Sequence, residues 1–208
     1  ATAYGCLDWQ ARMQPGEVLL VHGAGGGSGL AAVDLGKAMG ATVIATAGDG
    51  AKLAAAEDAG ADHLINYREN SFRDVVLELT KGRGADVIFD PVGGDVFDQS
   101  LRCIAPEGRI FPIGFAGGTV PRIPANILLV KNISVHGIYW GYYGGWAKQP
   151  RTAANISRLQ EAMATLFQWQ DEGRLHPLVH GTYDLADCVA AIDVITERRA
   201  IGKVVLTT

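Results

Sequence analysis

The sequence predicts an α/β protein built on a doubly wound, six-stranded parallel sheet with a C-terminal helix-and-strand extension. Short β-branched runs alternate with alanine-rich or amphipathic stretches, the pattern of repeated strand–helix–strand units. Several runs are apolar at consecutive positions, among them Val18-Leu19-Leu20-Val21 and Val87-Ile88-Phe89, as strands covered by helices on both faces require. The 27 glycines fall singly or in short clusters between these runs, so they mark turns and close approaches rather than low complexity.

An opening helix is expected over Thr2–Met13, and Pro15-Gly16 separates it from the first strand. Strands are predicted at Glu17–His22, Thr42–Thr46, His63–Ile65, Asp86–Asp90, Gly108–Ile113 and Asn132–Tyr139. Helices are predicted between them at Ser28–Met39, Gly50–Ala59, Ser71–Thr80 and Val96–Ile104, with a short one after Pro124. Gly40 and Gly60 stand where helix C-caps belong. After about residue 145 the pattern changes. A long helix over Thr152–Asp171 carries Ile156, Leu159, Met163, Leu166 and Phe167 on one stripe, and a strand follows at Leu178–Thr182. Asp184 is then expected to cap a helix bearing Leu185, Val189, Ile192 and Ile195, and Lys203–Thr207 closes the chain as a strand.

With 48% hydrophobic and 19% charged residues, the chain buries a large core, which excludes a disordered class. A net charge of -4 and the lack of a Lys/Arg stripe argue against nucleic acid as a partner. No apolar stretch has the length of a membrane span. Cys6, Cys103 and Cys188 are far apart and lack C-x-x-C spacing, which suits a reducing cytoplasm better than a disulfide framework or a zinc knuckle. The chain starts without Met inside the expected opening helix, so it reads as a piece of a longer polypeptide.

The segment Gly23-Ala-Gly-Gly-Gly-Ser-Gly29 follows the first strand and opens a helix. Residues without a Cβ let a backbone approach a pyrophosphate, and the unpaired N–H groups of a helix N-terminus stabilise its charge. Alone, such a glycine match is weak. Here its strand–loop–helix context inside a six-strand pattern points to a dinucleotide-binding Rossmann fold, with Gly26, Gly27, Ser28 and Gly29 at the phosphates.

Beyond this loop, Thr2-Ala-Tyr-Gly5, Gly60-Ala-Asp62, Asn66-Tyr-Arg68, Asp90-Pro-Val-Gly-Gly94, Gly108-Arg-Ile110, Ile113-Gly-Phe115 and Gly202-Lys-Val-Val-Leu206 run from end to end of the chain. Together they resemble the zinc-free NADPH:quinone oxidoreductase branch of the medium-chain dehydrogenase/reductase superfamily. The resemblance implies that residues 1–145 form the dinucleotide domain. It also implies that residues 146–208 return to an N-terminal GroES-like substrate domain not contained in this chain.

An NAD-specific loop usually ends its second strand in an acid that accepts the ribose 2′-OH. Here the strand ends Ala45-Thr46-Ala47-Gly48, and Asp49 lies one step further, either as a helix cap or as a solvated side chain. The resemblance implies that Lys52 and Tyr67, with Arg68 adjacent, hold a 2′-phosphate instead, a charge-assisted contact that favours NADPH over NADH. It implies too that Arg198 reaches the adenosine phosphate, and that Thr2, Val92, Gly93, Gly114, Phe115 and Ala116 line the ribose–nicotinamide half. Phe115 is equally readable as a loop aromatic closing the core.

Tyr139-Trp-Gly-Tyr-Tyr-Gly-Gly-Trp146 is open to three readings: a wall for a flat apolar substrate, a hydrophobic corner between domains, or part of a dimer contact. In the superfamily the last strand, here 132–139, often pairs with its twin, which implies a homodimer. No side chain stands out as a general acid or base. His22, His63, His136, His176 and His180 are scattered without metal spacing, so no metal site is expected within the chain. The expected activity is NADPH-dependent hydride transfer to a quinone or an α,β-unsaturated carbonyl compound. The alternatives are a zinc-dependent alcohol dehydrogenase, an enoyl reductase module, or a non-catalytic NADPH-binding sensor or crystallin-like protein.

Overall fold

A computed structural model describes residues 1–146, 148 and 152–208. Six parallel strands, β1 (Val18–Val21), β2 (Thr42–Ala47), β3 (His63–Asn66), β4 (Ala85–Asp90), β5 (Ile104–Pro112) and β6 (Ser134–Val135), form one sheet. Their order is β3-β2-β1-β4-β5-β6, so the chain reverses direction across the sheet between β1 and β4. That is the doubly wound order, and ligands gather where the strand order reverses.

The first five strands supply both faces with apolar side chains, and alternate residues explain how. Leu19, Val21, Val43, Ala45, Val87, Phe89 and Phe111 enter one core, packed by α1 (Thr2–Tyr4), α2 (Gly27–Ala38) and Leu166 and Trp169 of the long helix α8 (Ala153–Asp171). Leu20, Ile44, Ile65, Ile88 and Ile110 enter the other, beneath α4 (Phe72–Leu79), α5 (Asp95–Cys103) and α6 (Ala125–Lys131). The two-residue repeat of a strand thus fills two cores at once, which is why the runs read as continuously hydrophobic. A short helix α3 (Gly50–Asp58) connects β2 to β3. Gly40 and Gly60, both at positive φ, end α2 and α3 as expected, their N–H groups returning to the Lys37 and Glu57 carbonyls.

Several elements differ from expectation. The opening helix is one α turn that widens at Gly5–Gln10 into a π-helix, with Ala11 N–H bonded to the Cys6 carbonyl, and Arg12 at φ 49 closes it. A Cβ on Gly5 would run into Ile138, so the wider turn brings this helix close against the segment after β6. That last strand is two residues long, not 132–139. Asn132 is left-handed and ends α6, and after His136 the chain leaves the sheet edge for α7 (Trp140–Gly144). Trp140 there stacks on Trp9 at 5.2 Å with Tyr143 alongside and Arg158 over the Trp9 ring, an aromatic contact that draws the chain away from the sheet. Phe167 does not join the buried stripe of α8 but is 57% exposed.

The C-terminal extension holds a separate two-stranded parallel ladder, β7 (Val179–Asp184) with β8 (Lys203–Thr207), and α9 (Cys188–Thr196). Asp184 ends β7 ahead of a 3-10 turn at Leu185–Asp187, and its side chain makes no capping bond. No helix among the described residues is long and apolar enough to cross a membrane.

His22, just past β1, is buried and ties three elements together. Its Nε2 lies 2.8 Å from Ser100 Oγ on α5 and its Nδ1 3.0 Å from Thr46 Oγ1 on β2. Ser100 spends its one hydroxyl proton on the Val96 carbonyl at 2.7 Å. Nε2 must therefore carry the ring proton and donate to Ser100, while Thr46 donates to Nδ1. Burial pushes the imidazole down to about 3, so it stays neutral in the folded protein. The unfolded chain takes up a proton here as pH falls through about 6.5 and the folded one does not until about 3. Stability therefore drops with acid across that window, by roughly 3 kcal/mol from this group at pH 4. Urea unfolding from pH 7 to 4 should show a shallower acid loss for His22→Gln than for the parent. Parallel curves would disprove the assignment.

Candidate dinucleotide site

The site lies along the edge where β1, β2, β4 and β5 end. Gly23 turns the chain out of β1 at φ 58, Gly26 N–H returns to the Gly23 carbonyl at 3.0 Å, and α2 begins at Gly27 with no side-chain cap. The N–H groups of Gly27, Ser28 and Gly29 thus point out of the helix without intrahelical acceptors, the positive end of the α2 dipole. Gly29 can carry no side chain: its Cβ would overlap the Gly23 carbonyl oxygen and stand 2.8 Å from Ala24 Cα. This is a cradle that an anion fits and a Cβ would destroy.

Lysines flank the cradle on two sides. The stem of Lys52 lies over Gly25, where a Cβ would meet its Cβ at 2.5 Å, and the stem of Lys203 lies over Gly27, with Cδ 2.7 Å from such a Cβ. Gly202, at φ 83, pairs with Gly26 as an isolated bridge and donates to the Gly25 carbonyl at 3.1 Å. No sequence spacing links Lys203 to a loop that far upstream, so its place over Gly27 comes from the fold alone.

At the end of β2, Ala47 is buried and Gly48 faces Tyr67, whose Oη would sit 2.5 Å from a Cβ there, with Arg68 Nε at 3.1 Å. Asp49 is a helix cap: its Oδ1 accepts from the Lys52 amide at 3.0 Å and its Oδ2 pairs with Lys52 Nζ at 3.1 Å. The Lys52 amide bond, then the Lys52 and Arg68 charges, hold its carboxyl below the usual range. Lys52 Nζ also donates to the Arg198 carbonyl at 2.8 Å. The structure therefore gathers Gly48, Lys52, Tyr67, Arg68 and Arg198 at one end of the cradle, with Tyr67 half exposed.

At the other end, the buried Asp90 closes β4. Its Oδ1 accepts from Val92 N–H at 2.8 Å and Gly93 N–H at 3.0 Å, folding the turn into Gly93 and Gly94 at positive φ. Burial raises its carboxyl, and Oδ2 has no partner among the described residues. The turn after β5 is laced to this one: Ala116 N–H bonds to the Pro91 carbonyl at 3.1 Å and Gly117 N–H to the Val92 carbonyl at 2.9 Å. Val92, Gly93, Gly114, Phe115 and Ala116 are thus brought together. Phe115 is 46% exposed over Gly93, so it is not a core-closing aromatic. Arg198 Nη2 reaches the Ala116 carbonyl at 3.5 Å, linking the two ends. Thr2 opens α1 beside Ala1, which shares a groove with Gly27 and Lys203.

Trp140 and Tyr143 form a hydrophobic corner with Trp9, whereas Tyr139, Tyr142 and Trp146 are exposed. Among the described residues no group of three or more His, Cys, Asp or Glu is placed to hold a metal ion.

The sequence profile of the zinc-binding dehydrogenase family matches residues 27–158. The chain is 42% identical to a quinone oxidoreductase-like protein 2 homolog of Nematostella vectensis, over all of this chain and 55% of that protein. It is 32% identical to a 2-haloacrylate reductase of a Burkholderia species, over 99% of this chain and 60% of the relative. Its fold overlays Escherichia coli quinone oxidoreductase, solved with NADPH, at a TM-score of 0.86 and 31% identity, covering all of this chain and 62% of that one. The chain thus spans little more than half the length of the curated relatives it matches. With the doubly wound sheet, the glycine cradle and these matches together, the chain belongs to the zinc-binding dehydrogenase family, and it is similar there to the cofactor-binding half of quinone oxidoreductases.

Proposed function

We propose that this chain is the nucleotide-binding half of an NADPH-dependent oxidoreductase that reduces quinones or α,β-unsaturated carbonyl compounds. The observation that carries this reading is the Cβ-free cradle at the N-terminus of α2, flanked by Lys52 and Lys203. The cradle and Lys203 hold the pyrophosphate. Lys52, Tyr67 and Arg68 hold a ribose 2′-phosphate, with Arg198 closing over it. Asp49 shares the Lys52 ammonium and so tempers the preference over NADH. The laced turns at 91–94 and 114–117 frame the nicotinamide, which supplies a hydride when bound. That end of the site exposes backbone groups and Phe115, while Asp90 is fully buried beneath its own turn, so the proton comes from solvent or from the substrate domain. The likeness to a 2-haloacrylate reductase supports an activated alkene as well as a quinone.

Residues 146–208 return to a substrate domain in this reading. Leu185 and the α9 residues Val189, Ile192 and Ile195 are each more than half exposed, as a face awaiting a domain would be. The protein works in the reducing cytoplasm, as its unpaired cysteines suit.

Calorimetric titration tests the cofactor assignment. NADPH should bind more tightly than NADH, and Lys52→Ala should weaken NADPH about 10- to 100-fold while leaving NADH nearly unchanged. Gly29→Ala should abolish binding of both. Equal affinities unmoved by Lys52→Ala would defeat the phosphate clamp. For the activity, the complete polypeptide should oxidise NADPH with a simple quinone while these 208 residues turn over little; vigorous reduction by the short chain would refute the division of labour.

The homodimer forms through the β6 edge and the adjoining α6, where Leu129 is 77% and Val130 72% exposed. Sedimentation should show a dimer that Leu129→Glu with Val130→Glu converts to monomer; a parent that sediments as a monomer would exclude it.

A further inference from the structure

The face covered by α4, α5 and α6 has a second concave site. A groove of about 460 Å³ opens between α4, α5 and the segment leading into α6. Arg73 from the first turn of α4, Arg102 from the last turn of α5 and Arg122 from the stretch before α6 all line it. Leu101, Pro124 and Ile127 give it an apolar side.

The charges in this groove are poorly neutralised. Arg73 gives one edge of its guanidinium to Asp74, with Nη2 at 2.7 Å and Nε at 2.8 Å, and keeps the other. Among the described residues no carboxylate lies within ion-pair distance of Arg102 or Arg122. Asp98 also lines the groove without pairing to either. Beside the groove, Lys131 from the last turn of α6 reaches the end of α5, where its Nζ donates to the Leu101 carbonyl at 2.9 Å and the Ile104 carbonyl at 3.3 Å. Those carbonyls account for Lys131. Burial, and then the neighbouring Arg102 charge, depress its ammonium. Arg102 and Arg122, from separate elements, both line the hollow, and neither side chain makes a hydrogen bond or ion pair among the described residues.

Cations brought together without counter-charge repel one another, and an anion relieves that cost. The planar guanidinium fork matches a phosphate in two-point contact better than any other side chain does. We propose that this groove binds a small organic phosphate. Its phosphoryl group sits between Arg102 and Arg122 with the free edge of Arg73, and its carbon body lies on Leu101, Pro124 and Ile127. The groove is formed by α4, α5 and the approach to α6, whereas the dinucleotide cradle is formed by the β1 turn and α2. Its occupancy does not depend on the assignment made for the cradle.

Phenyl phosphate is a suitable probe, titrated into the isotopically labelled chain with backbone amide resonances as the readout. The expected result is two separable sets of saturating shifts, one at Gly23–Gly29 and one at Leu101–Cys103 and Arg122–Ile127. Arg102→Gln combined with Arg122→Gln should weaken the second set at least about tenfold and leave the first unchanged. Asp98→Asn should tighten the second set about threefold by removing a like charge, a gain that misfolding cannot imitate. Shifts at Gly23–Gly29 alone, groove shifts that survive the double substitution, or the same groove shifts with phenol would overturn the proposal.

Discussion

The contact on which the rest of the site depends is the approach of Gly29 to the Gly23 carbonyl and the Ala24 backbone, too close for any side chain. It sets where α2 begins relative to β1, and so where the free N–H groups of the helix point. Its neighbours are built to keep it. Gly36 lets α2 lie against Leu19 and Val43, where a Cβ would stand 2.5 Å from Leu19 Cδ2. His22 fastens the end of β1 to β2 and α5 from beneath, with every ring nitrogen partnered. A loop of small residues has little rigidity of its own; the strand, the helix and the buried imidazole supply it.

The C-terminal segment completes this arrangement from outside. Gly202 lies so near the Leu178 carbonyl that only a residue without Cβ fits, and this brings the start of β8 alongside Gly26. Two residues around it then reach the cradle: Lys203 lies over Gly27, and the Arg198 carbonyl receives Lys52. Arg198 adopts a left-handed φ of 58, which aims its carbonyl at one end of the cleft while its guanidinium approaches Ala116 at the other. The segment thus packs against the glycine loop and braces it from outside.

The charged groups divide by burial. Asp90 and His22, deep beneath the loop, are shifted toward their neutral forms by desolvation and serve as hydrogen-bonding struts. Asp49, near the surface, is held as a carboxylate by Lys52 and Arg68. Cationic side chains stay at the rim of the cradle and in the α4–α5 groove, where solvent screens them and a phosphate can reach them.

The strands, the glycine loop and the helix ends at Gly40 and Gly60 were legible from the residues alone, because each rests on local chemistry: consecutive apolar runs, absence of Cβ, left-handed caps. Lys52 and Tyr67 stand out only through the resemblance to a known family, not through any spacing, and the fold brings them beside Gly25 and Gly48. The two-residue β6 and the π turn at Gly5 were not legible, since each is decided by what packs against it, Trp140 on Trp9 and Ile138 on Gly5; nor was the exposure of Phe167 on the groove it lines with Leu166 and Leu175. Lys203 and the Arg198 bridge lay beyond sequence reasoning for the same reason. Contacts between segments more than a hundred residues apart leave no periodicity. The sequence by itself determined that a glycine cradle forms between β1 and α2. Only the tertiary structure decided that Lys203 and Arg198 join it, because they arrive with the returning C-terminal segment.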